Sequence, residues 1–250
     1  MKAAAFELAV PEDIGDATVL LRDGGRRAMS GGQSLGPMLN LRVARPSWVV
    51  PLTGLGALHG AEESADAITL GAATTHSAIA DGRTPDLAGG VLAGVARGIA
   101  YRAVRNRGTI GGSLCHADPA ADWLTTLTAL DAVVLTTARA VPMAAFITGP
   151  YRTMLEAGEI VRAVRVPKPA SGFRWRYHKL CRKPGEFAHA MAACLAVDGR
   201  VRLVIGALGG PPVLLVDEHA TLDGAAAALG FLEPVARQIQ LEAVARVLPA

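Results

Sequence analysis

The sequence predicts an α+β chain in two parts, and three observations carry that reading. Up to about Val166, helical and strand patterns alternate with glycine-rich turns between them. The stretch Pro167-Lys168-Pro169-Ala170-Ser171-Gly172 then interrupts the pattern, and beyond it come consecutive strands followed by two helices. Proline and small residues punctuate regular structure, and strands followed by helices suit a small α+β unit. The expected division is residues 1–170 and 171–250, within reach of a chain of 250 residues.

Taken in order, Pro11 to Arg22 reads as a helix whose apolar side is Ile14, Ala17, Val19, Leu20 and Leu21. Ser47 to Val50 and Ile68 to Leu70 are short buried strands bounded by Pro and Gly. Leu87 to Ile99 is a helix loosened by glycine. Asp118 and Pro119 are placed to cap and open the next helix, which runs towards Leu130, with Ala132 to Thr136 following as a strand. Past the boundary, Phe173 to Leu180, Ala188 to Val197 and Arg200 to Ala207 read as strands. Asp198-Gly199 makes the last two a hairpin. Asp217 to Leu229 and Leu232 to Leu248 are the closing helices.

Composition excludes several classes. Just over half the residues are hydrophobic (51%), yet no apolar run approaches the ~18 residues of a membrane span. Met1 to Phe6 begins like an export signal, but Glu7, Pro11, Glu12 and Asp13 end it too early. The expectation is a soluble, cytoplasmic protein. Cys115, Cys181 and Cys194 form neither a disulfide framework nor a CxxC pair. They are also too few for an iron–sulfur cluster, which needs about four thiolates. The net charge is only +3, but Arg162, Arg165, Lys168, Arg174, Arg176, Lys179, Arg182 and Lys183 fall in one acid-free stretch. Arg97, Arg102, Arg105 and Arg107 form a second cluster. Such runs are either solvated faces or contacts to an anion or a partner chain. With only 4% aromatic residues, nucleic acid is not the expected partner.

The chemistry is concentrated in two glycine loops, Ser30-Gly31-Gly32-Gln33-Ser34-Leu35 and Gly108-Thr109-Ile110-Gly111-Gly112-Ser113. Without a β-carbon, glycine lets the backbone approach a ligand and aim successive N–H groups at one anion. Ser30, Ser34, Thr109 and Ser113 add hydroxyls. Hydrogen bonds to a charged group contribute about 1.5–3 kcal/mol each, so four or five offset much of a pyrophosphate's desolvation. Neither loop is a Walker loop or a GxGxxG turn. Asp122, one turn beyond Asp118, could accept hydrogen bonds from a ribose diol beside the phosphates, or merely complement a helix dipole. No Ser/His/Asp or paired-carboxylate arrangement emerges, so no catalytic side chain is assigned. Cys115-His116 has no third ligand at metal-binding spacing. Cys115 is either a thiol near the ligand or a small buried hydrophobe.

These segments resemble the FAD-binding medium subunits of molybdenum hydroxylases, the carbon monoxide dehydrogenase and xanthine dehydrogenase family. The family pattern Ala-Gly-Gly-Gln/His-Ser-Leu matches Ser30 to Leu35. Its Arg-Asn-x-Gly-Thr-Ile-Gly-Gly, followed by Pro-Ala-Ala-Asp, matches Arg105 to Gly112 and Pro119 to Asp122. Weaker echoes fall at Gly71 to His76, Gly149 to Thr153 and Tyr177 to Lys183. The resemblance implies a two-lobed α/β FAD-binding domain followed by a small α+β domain. It implies non-covalent FAD, with the pyrophosphate held mostly by main-chain donors of Ser30, Gly31, Gly32, Gln33, Ser34 and Leu35, and of Thr109, Ile110, Gly111, Gly112 and Ser113. Asp118 and Asp122 would lie at the nucleotide, with Asp122 on the adenosine ribose. His76 would be a flavin neighbour, and Lys183 and Phe187 would reach the flavin from the second domain. Glu186 stands where the family has Asp, and Phe187 where Tyr or Trp is common. The family's acidic-then-Tyr-Arg stretch before the last helix is not recognisable.

The same resemblance implies partners: a large subunit with molybdopterin and a small one with [2Fe–2S] clusters. Electrons would pass through those clusters to FAD and on to an external acceptor such as NAD, oxygen or a quinone. The alternatives are a self-sufficient flavin oxidoreductase of related fold, or an assembly module that has lost its cofactor.

Overall fold

The computed structural model describes residues 2–249, so the outer limits of the expected division, Met1 and Ala250, lie outside the described residues. The first lobe is β1 (Glu7–Leu8), α1 (Ile14–Leu20), β2 (Arg26–Met29), α2 (Leu35–Asn40) and β3 (Trp48–Pro51). Its strands pair in parallel in the order β1-β3-β2. The central strand needs an apolar centre, and Val49 and Val50 are fully buried. Helix α1 starts three residues later than Pro11 because Asp13 caps it, accepting from the Asp16 amide at 2.8 Å.

The second lobe contains β4 (Ala61–Glu63), β5 (Ala67–Gly71), α3 (His76–Ala80), α4 (Val91–Gly98), α5 (Arg102–Arg105), α6 (Ile110–His116) and α7 (Asp122–Ala129). It continues through β6 (Val133–Thr136), β7 (Ala140–Pro142), α8 (Met143–Phe146), β8 (Ile147–Gly149), β9 (Arg152–Thr153) and β10 (Val161–Pro167). Five of these strands form an antiparallel sheet ordered β4-β5-β10-β6-β7. Its central strand, β10, has no clean alternation in the sequence. Arg162 and Arg165 lie three apart, and a register shift between Val161 and Ala163 accommodates them.

Two helix starts differ from expectation for local reasons. Gly89 and Gly90 both adopt left-handed φ (83° and 69°), so α4 begins at Val91, not Leu87. The carboxylate of Asp86 folds over that turn and accepts from the amides of Leu87, Leu92 and Ala93 at 2.7–2.8 Å. Likewise Asp118 does not cap α7. Ala117 ends α6 in the left-handed region, and Asp118 Oδ1 accepts from the Ala120 amide at 2.9 Å in a tight turn. The helix starts four residues later, at Asp122.

After the 167–172 break come β11 (Arg174–Leu180), β12 (Ala190–Val197), β13 (Arg200–Gly206) and β14 (Val213–Val216), an antiparallel meander. Asp198 and Gly199, both at positive φ, turn β12 into β13 as the dipeptide predicts. The expected helix from Asp217 is shortened to α9 (Leu222–Ala228), capped by Thr221, and α10 spans Pro234–Ala245. One face of this sheet packs on α9 and α10 through Ala192, Cys194, Leu203 and Ile205. The other packs on α7 through Ala193 and Val204. Gly206 comes so close to α7 that a β-carbon on it would stand 1.9 Å from Thr125 Oγ1. All eight residues of α7 are buried, because the helix lies between this sheet and its own lobe.

Candidate functional site

The two glycine loops touch. Ser30 Oγ and Thr109 Oγ1 are 2.8 Å apart, and a β-carbon on Gly31 would stand 1.7 Å from the Arg107 carbonyl oxygen. Only glycine allows that approach. A third segment, Gly71 to His76, backs the second loop. Ile110 donates to Thr74 O (3.0 Å), Gly111 to Ala72 O (2.9 Å), and the His76 amide to Gly108 O (2.9 Å).

The loops offer different things. In the first, the amides of Gly31, Gly32, Gln33, Ser34 and Leu35 have no acceptor among the described residues. Gly32 at φ 71° reverses the chain here, as in backbone concavities that bind anions. In the second, the amides of Ile110, Gly111, Gly112 and Ser113 are all engaged within the protein, the last two on Thr109. The expectation of main-chain donors from both loops is therefore corrected. Thr109, Ile110 and Gly111 are buried framework, with the Thr109 hydroxyl held by Ser30 Oγ and the Gly112 amide, and what the second loop has left to present is the hydroxyl of Ser113. Five successive free amides and that hydroxyl fit a diphosphate.

A cleft of about 450 Å³, to which neither glycine loop contributes a lining residue, runs between α4–α5 and β11, lined by Gly94, Gly98, Tyr101, Arg105, Lys179 and Pro184 among others. Asp122 stands behind its wall. The carboxylate is only 5% exposed, binds Lys179 Nζ through both oxygens at 3.0 Å, and accepts from the Tyr177 hydroxyl at 2.7 Å. Burial, reinforced by the Asp122 charge, pushes the Tyr177 phenol well above its usual range, so it stays a donor. The expected direct contact of Asp122 with a ribose is thus modified, since its oxygens are already taken and Lys179 is the group at the cleft surface. Tyr177 and Lys179 are the residues that sequence reasoning missed. Their signal was the two-residue spacing in β11, which puts both on one face, but Lys179 was absorbed into the basic run.

The other expected residues are placed less centrally. His76 is buried, with Nδ1 accepting from Trp123 Nε1 at 3.1 Å. Burial, then the nearby Arg105 charge, lowers its pKa to about 4, so the ring is neutral. Its ring packs against Gly108 of the second loop, where a β-carbon would stand 2.9 Å from Cδ2. Asp118 Oδ2 accepts from the Tyr151 hydroxyl at 3.3 Å, away from Asp122. Lys183 and Phe187 lie on the β11–β12 connection, exposed and not in the cleft lining. Their loop nonetheless reaches the rim, where a β-carbon on Gly185 would stand 2.8 Å from Ala100 O.

Much of the basic stretch proves to be internally paired. Arg165 meets Asp66, Lys168 meets Glu63, Arg182 meets Glu186 and Arg102 meets Asp81. Arg176 donates to Leu248 O at 2.6 Å, at the end of α10 and on the strand face opposite Tyr177 and Lys179.

Residues 4–169 match the family described as the FAD binding domain in molybdopterin dehydrogenase. The nicotine 6-hydroxylase medium subunit of Paenarthrobacter nicotinovorans is 34% identical over 234 residues, covering 90% of this chain and 82% of the relative. The carbon monoxide dehydrogenase medium chain of Hydrogenophaga pseudoflava is 37% identical over 199 residues, 75% of this chain and 68% of that one. Among solved structures, the Hydrogenophaga pseudoflava carbon monoxide dehydrogenase that lacks the Mo-pyranopterin moiety of its cofactor superposes with a TM-score of 0.89 at 29% identity, over 99% of this chain and 97% of that one. Quinoline 2-oxidoreductase from Pseudomonas putida 86 gives 0.85 at 29% identity, over 99% and 96%. The chain belongs to the FAD-binding domain family of molybdopterin dehydrogenases, as the FAD-binding medium subunit of a molybdenum hydroxylase-type oxidoreductase complex.

Proposed function

We propose that this chain carries electrons from the [2Fe–2S] clusters of a small partner subunit to an external acceptor, while a molybdopterin-containing large subunit oxidises the substrate. Three free cysteines fall short of the about four thiolates a cluster needs, so any iron–sulfur cluster that feeds the flavin belongs to a partner. FAD, when bound, supplies the step between one-electron clusters and a two-electron acceptor. The chain's own residues bind and orient it. The amides of Gly31 to Leu35 hold the diphosphate, Ser113 faces it with its hydroxyl while buried Thr109 braces Ser30, and the Lys179–Asp122 pair fixes one end of the nucleotide in the cleft. The β11–β12 loop with Lys183 and Phe187 closes the rim. The working division is a cofactor domain of residues 1–170 and a docking domain of 171–250 that lends β11 to the cleft, in a cytoplasmic complex.

The observation that carries this reading is the run of five unpartnered amides pressed against the second loop. The experiment is a visible spectrum of the purified chain, with the released flavin identified by mass. Reduction is then followed with and without a molybdopterin and a [2Fe–2S] partner subunit. Flavin that is reduced only with partners and their substrate supports the proposal. Rapid reduction by NADPH or an organic substrate with this chain alone makes it a self-sufficient oxidoreductase instead.

A further inference from the structure

Three side chains from two domains meet at one point in the cleft wall. Asp122 opens α7, while Tyr177 and Lys179 share one face of β11. The two oxygens of Asp122 carry three hydrogen bonds: two from Lys179 Nζ at 3.0 Å and one from the Tyr177 hydroxyl, on Oδ1, at 2.7 Å. The third direction of the ammonium points at Gly98 O, 3.4 Å away on α4. We propose that Tyr177 is a positioning residue for the bound nucleotide, acting through Asp122 on Lys179; this rests on the assignment of the cleft to FAD.

An aspartate carboxylate turns about a broad, two-fold torsion, and a phenol hydroxyl on one oxygen fixes that torsion. It thereby fixes the line along which Lys179 is held. The same hydroxyl takes up part of the carboxylate's negative charge, leaving more of the Lys179 charge to act across the cleft. In a wall only 5% exposed at Asp122, that redistribution is weakly screened. Tyr177 and Lys179 both line the cleft, together with Arg97, Arg102 and Arg105, but the Tyr177 hydroxyl proton is committed to Asp122, so its polar end acts through the pair.

The test is a double-mutant cycle on the full-length chain. Tyr177→Phe is made in the natural background and in Lys179→Met, and FAD is titrated by flavin fluorescence. Losing a hydrogen bond to a charged group raises the FAD Kd about tenfold in the natural background. In Lys179→Met the same change shifts Kd by less than about twofold, the signature of residues acting as a unit. Tyr177→Phe also flattens the salt dependence of Kd, which a merely structural tyrosine does not do. Thermal melts without FAD separate a folding defect from a binding defect, and Met191→Leu, beside the same hydroxyl at 3.8 Å, is expected to leave Kd unchanged. Equal losses in both backgrounds, or no loss in either, overturn the proposal. If Lys179→Met binds FAD as well as the natural chain does, the cleft assignment falls with it. A natural chain that takes up no FAD at all overturns the functional reading itself.

Discussion

Gly31 and Arg107 lie in contact across 76 positions of sequence, with the glycine Cα turned onto the arginine carbonyl so that a methyl group there would overlap it at 1.7 Å. Backbone on both sides leaves no flexible side chain to yield. Gly31→Ala must therefore separate the two loops. The overpacking costs about 1–3 kcal/mol of stability, and FAD affinity falls by about a hundredfold, equivalent to two steps of ~1.4 kcal/mol. Gly56→Ala is the control, because a methyl there meets nothing within 4 Å. Equilibrium dialysis of both variants against FAD checks the difference.

Asp86 holds the first turn of α4, and α4 is one wall of the cleft. Its carboxylate serves three amides that otherwise have no acceptor beyond the Gly89-Gly90 turn. Asp86→Ala is expected to cost about 2 kcal/mol, the upper range for a lost helix cap. For a chain of this size that lowers Tm by roughly 4–8 °C. FAD affinity is expected to weaken as well, as α4 frays. A calorimetric scan with and without FAD separates the two effects.

Asp86 also shows where sequence reasoning stops. The glycines at 89 and 90 were visible and were read as loosening a helix, but a carboxylate that caps by folding back over them is a tertiary fact with no periodicity. The loops were legible because glycine pairs flanked by hydroxyls carry their chemistry locally. Strand β10 was not, since its arginines interrupt alternation and a bulge absorbs them. The role of Asp122 was half legible. Its place at a helix start could be read, whereas its partners came from β11, 55 and 57 residues away.

His76 gives stability an acid dependence of known sign. Its folded pKa is about 4 against an ordinary value of 6.5, so the unfolded chain binds more protons between those values. Stability from this group is complete above pH 6.5 and is lost as pH falls towards 4. The full loss is about 3 kcal/mol, at ~1.36 kcal/mol per pH unit. His76→Gln keeps an acceptor for Trp123 Nε1 but does not titrate. Urea unfolding at pH 7.5 and pH 4.5 is expected to show the natural chain losing about 2–3 kcal/mol more than the variant. Equal losses would place the histidine in a wetter environment than the one described.

Asp122 distinguishes a ligand contact from a framework contact. A side chain that met only a ribose would leave the FAD-free protein unaffected when changed. Here the Asp122→Ala variant strands the Lys179 ammonium, whose side chain is 10% exposed, and leaves the Tyr177 hydroxyl without its acceptor. Breaking a buried pair from one side costs about 3–5 kcal/mol. The FAD-free chain is therefore expected to melt about 6–20 °C lower at 2–4 °C per kcal/mol. Lys179→Met in the same chain removes the stranded charge and should restore part of that loss, because a hydrophobic replacement of a buried pair is often near neutral. If the single variant melts like the natural chain without FAD, the carboxylate spends its time on the nucleotide side of the wall, and the Lys179 pairing is not its resting state.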